Sequence, residues 1–437
     1  MATILRHIGL LAFLLIITMS VSAQDSLKEQ EAKTASNAPV SDSIQPIHGF
    51  ELPDSLSISI LTCTPGPDLY SKFGHTAVRV KDCVNDRDVV FNYGCFDGSA
   101  NDFVFKFLLG QTDYLLGAEH FDDLVARYGY MGVGVKEQVL NLSQTEAREV
   151  LNRLLVNILP ENQQYRYEWL GVNCTNMVQF MIESLVEDEG GRVVYDWGDE
   201  HAKKMTVRDM LHEQLKLCPW VSFGIDMVLG YEIDDFTLTD VNPYSMQLRK
   251  LFLPAYFMEV VDRSKIEDAQ GAQRNYVVEE HELIPPVYVE STPSHFTPKV
   301  VFLLLLAVVM GVSVYDMKRK KASLWMDVTL NIAQGLAGLL VAFLFFFSEH
   351  PGVDTNLLVV IFNPLPLFYA GWMLSRKKKR KKSHWGAVNA LVLTTFLVAM
   401  PFCPQSFSPA MYILISALLV RAIAYWAIDA RAYRPKV

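Results

Sequence analysis

Two hydrophobic periods share the first 290 residues of this chain, and a third regime replaces them afterwards. Short alternating runs predict strands at Ser57–Thr62, His75–Lys81, Asp88–Tyr93 and Lys136–Leu142. Helical spacing is expected near Asp102–Leu109 and Phe121–Tyr128. The capping box "SQTE", Ser143–Glu146, opens a helix to about Leu159, and another starts at "TVRD", Thr206–Asp209. In "GVNCTNMVQFMIESL", Gly171–Leu185, the apolar residues Val178, Met181, Ile182 and Leu185 follow Cys174 at i+4, i+7, i+8 and i+11, with Asn173 placed as the cap. Strands and helices come in blocks rather than strict alternation, which predicts an α+β domain.

Beyond Lys299 the periodicity gives way to apolar runs. Five spans can be drawn, about Lys299–Val314, Trp325–Phe347, Asn356–Leu374, Trp385–Phe402 and Pro409–Ile428, each near the length a bilayer crossing needs. Charge sharpens the division: Lys299–Val437 holds 16 Lys and Arg against 5 Asp and Glu, whereas Met1–Pro298 holds 23 against 43. Basic runs follow the first span (Lys318–Lys321), the third (Arg376–Lys382) and the fifth (Arg431, Arg434, Lys436), so alternation puts all three on one side. By the positive-inside rule that side is the cytoplasm, and the region before Lys299 lies outside it. The amino terminus agrees. Arg6, an apolar stretch Ile8–Met19 and "VSA" ending at Ala23 form an export signal, 1–23. A polar, aperiodic leader, 24–49, is expected to be disordered. The expected organisation is therefore signal, leader, periplasmic domain (50–290) and transmembrane domain (299–430) in the inner membrane, with a cytoplasmic C terminus. The acidic soluble half, with no basic groove, argues against a nucleic-acid partner.

Candidate chemistry centres on Cys174. A sulfur at a helix N-terminus is favoured as thiolate, although half of a disulfide or a small buried hydrophobe would use a cysteine there equally well. The six cysteines contain no CxxC pair and no histidine-rich neighbourhood, which argues against zinc. Among ten histidines, His75 in "YSKFGHTAVRV" opens a strand after Gly74 and shares parity with Ala77 and Arg79, a position from which its ring could leave the more apolar face and enter a cleft. Cysteine with histidine is a minimal acyl-transfer engine. In the membrane half, His350, Asn356 and Asn363 fall near the outer bilayer edge. Pro364 and Pro366 would break the third span there, leaving either a polar-lined cavity or an ordinary turn in a kinked helix. Arg421 is expected to snorkel to the cytoplasmic edge.

A strand-borne "GH" followed about a hundred residues later by "NC" at a helix start resembles the circularly permuted papain-like superfamily, with its lecithin:retinol acyltransferase-like and NlpC-type members. More narrowly, "LTCTPGPDLYSKFGHTAVRV", "FNYGCFD", "LPENQQYRYEWLGVNCTN", "FGIDMVLG", "FLPAYF" and "EHPGVDTNLLVVIFNPLPL" resemble the Lnb family of Bacteroidota membrane proteins. The likeness runs from about Ser57 to the C terminus. It implies a permuted papain-like periplasmic domain followed by a helical membrane domain, and lipoprotein N-acylation as the activity. A phospholipid would donate the acyl chain, and the amine of a diacylglyceryl-cysteine on a lipoprotein would accept it, without metal or soluble cofactor. Carried over, Cys174 is the nucleophile and His75 its base. Asn92 in "FNYG" is the candidate orienting residue, Tyr70 and Tyr93 are candidate site-lining hydroxyls, and Asn173, His350, Asn356 and Asn363 are candidate substrate contacts. Two rivals use the same residues differently: a Cys/His hydrolase cutting peptidoglycan or lipid thioesters, and a non-enzymatic membrane scaffold in which Cys174 and His75 are structural.

Overall fold

The alternating runs pair into one antiparallel sheet of seven strands. In a computed structural model describing residues 55–96, 98, 102–198, 205–234, 250–290, 295–376 and 384–432, the strands are β1 (Leu56–Cys63), β2 (His75–Asp82), β3 (Arg87–Cys95), β4 (Asp113–His120), β5 (Val135–Leu140), β6 (Gln164–Arg166) and β10 (Val277–Ile284). Their order is β10-β5-β1-β2-β3-β4-β6, and β7 (Arg192–Val194), β8 (Lys265–Glu267) and β9 (Gln273–Asn275) form a separate three-stranded sheet. The expected export signal and leader lie outside the described residues.

Central strand β1, "LSISILTC", is buried at every position but Ser57, because helices cover both faces. A short helix, α1 (Phe103–Leu109), stands between β3 and β4. On one face of the sheet α2 (Phe121–Met131) sets Leu124 against Cys63, Ala77 and Val90. On the other, α4 (Cys174–Asp188) packs on β2, β3 and α3 (Gln144–Asn157), and the hydroxyls of Thr76 and Thr175 meet at 3.0 Å. His75, at the start of β2, is half-buried. The face it shares with Ala77 and Arg79 is roofed by α2, and Arg79 is buried there with Asp88 (2.8 Å), Glu137 (2.9 Å) and the Phe121 ring as partners.

Among the described residues, five helical segments are long and apolar enough to cross a membrane. Their helices are α8 (Pro298–Arg319), α9 (Leu324–Phe347), α10 (Leu365–Arg376), α11 (Trp385–Ala399) and α12 (Pro409–Ala432). A 3₁₀ turn, Leu357–Val360, precedes α10, and the span breaks at Asn363–Pro364 as expected. Of the two readings of that break, the geometry is the turn. Asn363 donates to the Val360 carbonyl (2.9 Å) and accepts from the Leu365 N–H (3.1 Å), bonds that close the turn. Arg421 does not snorkel. It is 3% exposed and bound to Asp327 (2.6 and 2.7 Å) and Asp316 (2.9 Å), because carboxylates from α9 and α8 supply the partners a buried guanidinium requires.

Three helices, α5 (Val207–Gln214), α6 (Pro219–Val228) and α7 (Pro254–Arg263), lie between the two regions in sequence, and α7 packs on β1 and β10. A buried polar knot bolts this part of the chain to the loops that join the spans. Arg208, on α5, donates to Asp234 (2.8 Å), to Asp226 of α6 (2.9 Å) and to the carbonyls of Leu229 and Gly230. Asp234 accepts from the Ser406 N–H, Gln405 donates to the Leu229 carbonyl and to Asn356 Oδ1, and Asn356 Nδ2 donates to the Met227 carbonyl. Gly230 is required here because a Cβ would lie 2.2 Å from the Thr355 carbonyl carbon. Asn356, 1% exposed, is thus a joint between domains and is not placed to touch a substrate headgroup.

Candidate active site

The site forms where the start of α4 meets the start of β2. Asn173 caps α4: its Oδ1 accepts from the N–H groups of Thr175 (2.8 Å) and Asn176 (3.0 Å), which a helix start otherwise leaves unpaired. Its Nδ2 donates to the carbonyls of Trp169 and Phe252, so the whole amide is committed to backbone. Asn173 therefore positions the neighbouring cysteine rather than binding a substrate. Cys174, the first residue of the helix, is half-buried, with Sγ 3.9 Å from the Thr175 hydroxyl, and it is electrostatically coupled to His75.

His75 and Asn92 come together as the sequence suggests, with Nε2 of the ring 2.7 Å from Asn92 Oδ1. An amide oxygen only accepts, so Nε2 carries the proton and Nδ1 is left as the basic nitrogen. Gly94 makes room for this ring. Its φ is +159°, and a Cβ would stand 2.9 Å from His75 Cε1 and 3.4 Å from Asn92 Oδ1.

The electrostatics of the pair are reciprocal. Burial alone would push the Cys174 thiol up, but the charge and hydrogen bond of His75, the Thr76 backbone and the Thr175 hydroxyl outweigh it and hold the thiol below its ordinary value. Burial likewise works against a charged His75, and the charge of Cys174, its hydrogen bond and that of Asn92 reverse the sign, holding the imidazole above its usual range. The two shifts run toward each other, so each group eases the other's charged form. Cys63 sits opposite His75 in the β1–β2 register and shows the contrast: with burial dominant, its thiol is pushed up to about 12. All six cysteines are unpaired, so Cys174 is not half of a disulfide.

The other expected residues scatter. Tyr93 is buried in the core, its hydroxyl 2.8 Å from Asn157 Nδ2, and does not line the site. Tyr70 is exposed and touches the Phe96 ring edge-on. His350 lies in the loop after α9, with Nε2 2.6 Å from the Phe107 carbonyl and Nδ1 buried without a hydrogen-bond partner.

Three tyrosines and Gly94 join the site without having been expected there. Tyr114 and Tyr165 are cross-strand partners on β4 and β6. Tyr167 stacks on Tyr114 with 4.3 Å between centroids, and the Glu168–Val172 bridge closes a tight loop between Tyr167 and Asn173. Their phenols are raised by burial first and then also by the nearby charge of Cys174. The Tyr165 hydroxyl is buried without a partner. The alternation in "QYRYEW" is the signal that could have found them, since Tyr165 and Tyr167 share one face of a strand.

Two family models match the chain. One, described as the Lnb N-terminal periplasmic domain, covers residues 51–201, and the other, described as the Lnb transmembrane domain, covers 290–432; together they span about two thirds of the sequence. No curated protein and no solved structure matches it.

Proposed function

The chain belongs to the Lnb family of membrane proteins, a family of lipoprotein N-acyltransferase type, and on that premise we propose that it moves a fatty acyl chain from a phospholipid, through a thioester on Cys174, to the α-amine of a diacylglyceryl-cysteine on a lipoprotein. The observation that carries this reading is the half-buried Cys174–His75–Asn92 arrangement, in which thiol and imidazole are shifted toward each other. In that geometry His75 takes the Cys174 proton, and the thiolate attacks the ester carbonyl. The S–C bond forms, the C–O bond to glycerol breaks, and the leaving oxygen takes the proton from His75 as lysophospholipid departs. The acceptor amine then attacks the thioester: the N–C bond forms, the S–C bond breaks, and the amine's proton passes to His75, restoring the pair.

Of the N–H groups at the start of α4, those of Thr175 and Asn176 are held by Asn173, which leaves that of Cys174 itself to meet the oxyanion. The permuted papain-like assignment belongs to this proposal: histidine on an early strand, cysteine at a later helix start. So does the membrane orientation, with the domain and its site in the periplasm of an inner-membrane protein and the C terminus in the cytoplasm. Holding the site at the membrane suits a reaction whose donor and acceptor are both anchored there.

The test is the intact mass of the purified protein in phospholipid vesicles without acceptor. An acyl increment on Cys174, labile to hydroxylamine and discharged as an amide when a diacylated lipopeptide is added, is the expected result. Discharge as free fatty acid in the presence of lipopeptide would favour the hydrolase, and absence of any increment would contradict the proposal.

A further inference from the structure

The helix α1, "FVFKFLL", turns Val104, Phe105 and Phe107 outward, with Phe105 57% exposed. Large apolar side chains gathered on one short helix of a soluble domain mark a surface that something covers. What covers it follows from where the helix is fastened. The Leu109 carbonyl accepts from the Glu349 N–H (2.8 Å), the Phe107 carbonyl meets His350 Nε2, Gln111 donates to Glu349 (2.7 Å), and the Phe105 ring lies 5.8 Å from that of Phe343. Glu349 and His350 immediately follow α9, a span of 24 residues. At 1.5 Å per residue α9 is roughly 36 Å long, and Phe343 sits roughly 6 Å inside its end. A hydrocarbon layer of about 30 Å that begins at the start of α9 would end near Phe343. Phe346 and Phe347 are themselves exposed, and Phe343 is in ring contact with Phe347. The exposed aromatic end of α9 thus adjoins the exposed face of α1.

From α1 an aromatic series leads inward. Phe107 stacks on Tyr167, Tyr167 stacks on Tyr114, and Tyr167 and Asn173, the residue next to Cys174, flank the Glu168–Val172 bridge. Trp169, in the same turn, donates to the Pro351 carbonyl (3.3 Å), which fixes the turn to the membrane loop. The partnerless Nδ1 of His350 stands at the outer end of the series, its ring 5.4 Å from that of Phe107. We propose that α1 lies in the bilayer interface and that Phe107, Tyr167 and Tyr114 form an access path along which a phospholipid acyl chain passes from the outer leaflet to Cys174. Flat apolar ring faces suit a methylene chain, and the tyrosine hydroxyls and His350 Nδ1 suit the ester and headgroup that accompany it. The inference rests on the acyl-transfer reading and adds to it the route and depth of the donor.

The experiment measures acylation of Cys174 by intact mass in the full-length protein, from two donors: phosphatidylethanolamine vesicles and water-soluble p-nitrophenyl butyrate. Wild type is compared with Phe105→Asp and Phe105→Leu. The ratio of vesicle to soluble-ester rate is expected to fall about tenfold or more in Phe105→Asp, the scale of removing one buried aromatic from its lipid contact, and to stay within about threefold of wild type in Phe105→Leu. A ratio unchanged in Phe105→Asp would overturn the path while leaving acyl transfer standing. Wild-type protein that gains no acyl group from either donor would overturn the reading beneath it. A phospholipid with a diazirine in its acyl chain gives the direct map: crosslinks are expected in residues 103–109 and 164–167, and labelling confined to the spans would contradict the path.

Discussion

Two buried polar sites in this molecule are built from similar materials and do opposite things. Around Arg208 one guanidinium serves two carboxylates: Asp226 and Asp234 take it together with two backbone carbonyls, Asp234 accepts from the Ser406 N–H as well, and Asp226 also meets His212 Nε2 (2.8 Å). Each guanidinium nitrogen donates inside the knot, and the result is a joint. Around Cys174 the matching is incomplete. The thiol's affinity for a proton is lowered, the imidazole's is raised, and the Tyr165 hydroxyl is buried without a partner. Satisfaction makes a fastener, and a shortfall leaves groups able to react.

The contrast can be broken first at His75. His75→Ala is expected to slow acylation of Cys174 by about 10²- to 10⁴-fold, the range for loss of a general base. Iodoacetamide labelling across pH gives the sign. In wild type, Cys174 should label with a midpoint below that of an ordinary thiol, and labelling should reach its plateau above it. Without His75, burial is less opposed and the midpoint should move up. Cys63 should stay unlabelled in both proteins. A Cys174 midpoint unmoved by the substitution would mean that the two groups are not coupled.

Arg208→Met tests the other side of the comparison. It leaves two buried carboxylates without their cation and should cost about 3–5 kcal/mol of stability, read from thermal unfolding in detergent. Any folded fraction should keep the low thiol midpoint of Cys174. An Arg208→Met variant as stable as wild type would show that the joint is not a fastener. Gly94→Ala is expected to act the other way, lowering the acylation rate about tenfold by pushing the His75 ring off Asn92, an expense of about 1–3 kcal/mol of local strain. A Gly94→Ala variant with wild-type rate and wild-type labelling profile would refute the close packing of Gly94 on His75. The smallest effect belongs to Tyr93→Phe. Losing the bond to Asn157 should cost about 1 kcal/mol of stability with no change in acylation rate, and a lost rate at normal stability would return Tyr93 to the site.

What could be read from the sequence follows the same physical division. The Cys174 helix, its Asn173 cap, the strand that opens at His75 and the break at Asn363 are local, and each is written within a few residues by period, cap or proline. The Arg208 joint and the Arg421 cluster are not local. Arg208 finds its partners 18 and 26 residues away, Arg421 finds its own 94 and 105 residues away, and Asn356 reaches Met227 across 129. No spacing encodes those meetings, so in the sequence Asn356 looks free to bind a substrate and Arg421 free to reach solvent. Strand β10, "VVEEHELI", is silent for a different reason. It is an edge strand with most positions exposed, so the alternation that marks a buried strand is missing.

The central claim is that Cys174 carries the acyl group to lipoproteins, and mass spectrometry of the N-terminal lipopeptide of one abundant lipoprotein tests it most directly. Cells carrying the wild-type protein are compared with cells carrying Cys174→Ala at equal protein level. The account predicts loss of one amide-linked acyl chain in the mutant, leaving the diacyl form. An unchanged triacyl lipopeptide would contradict it.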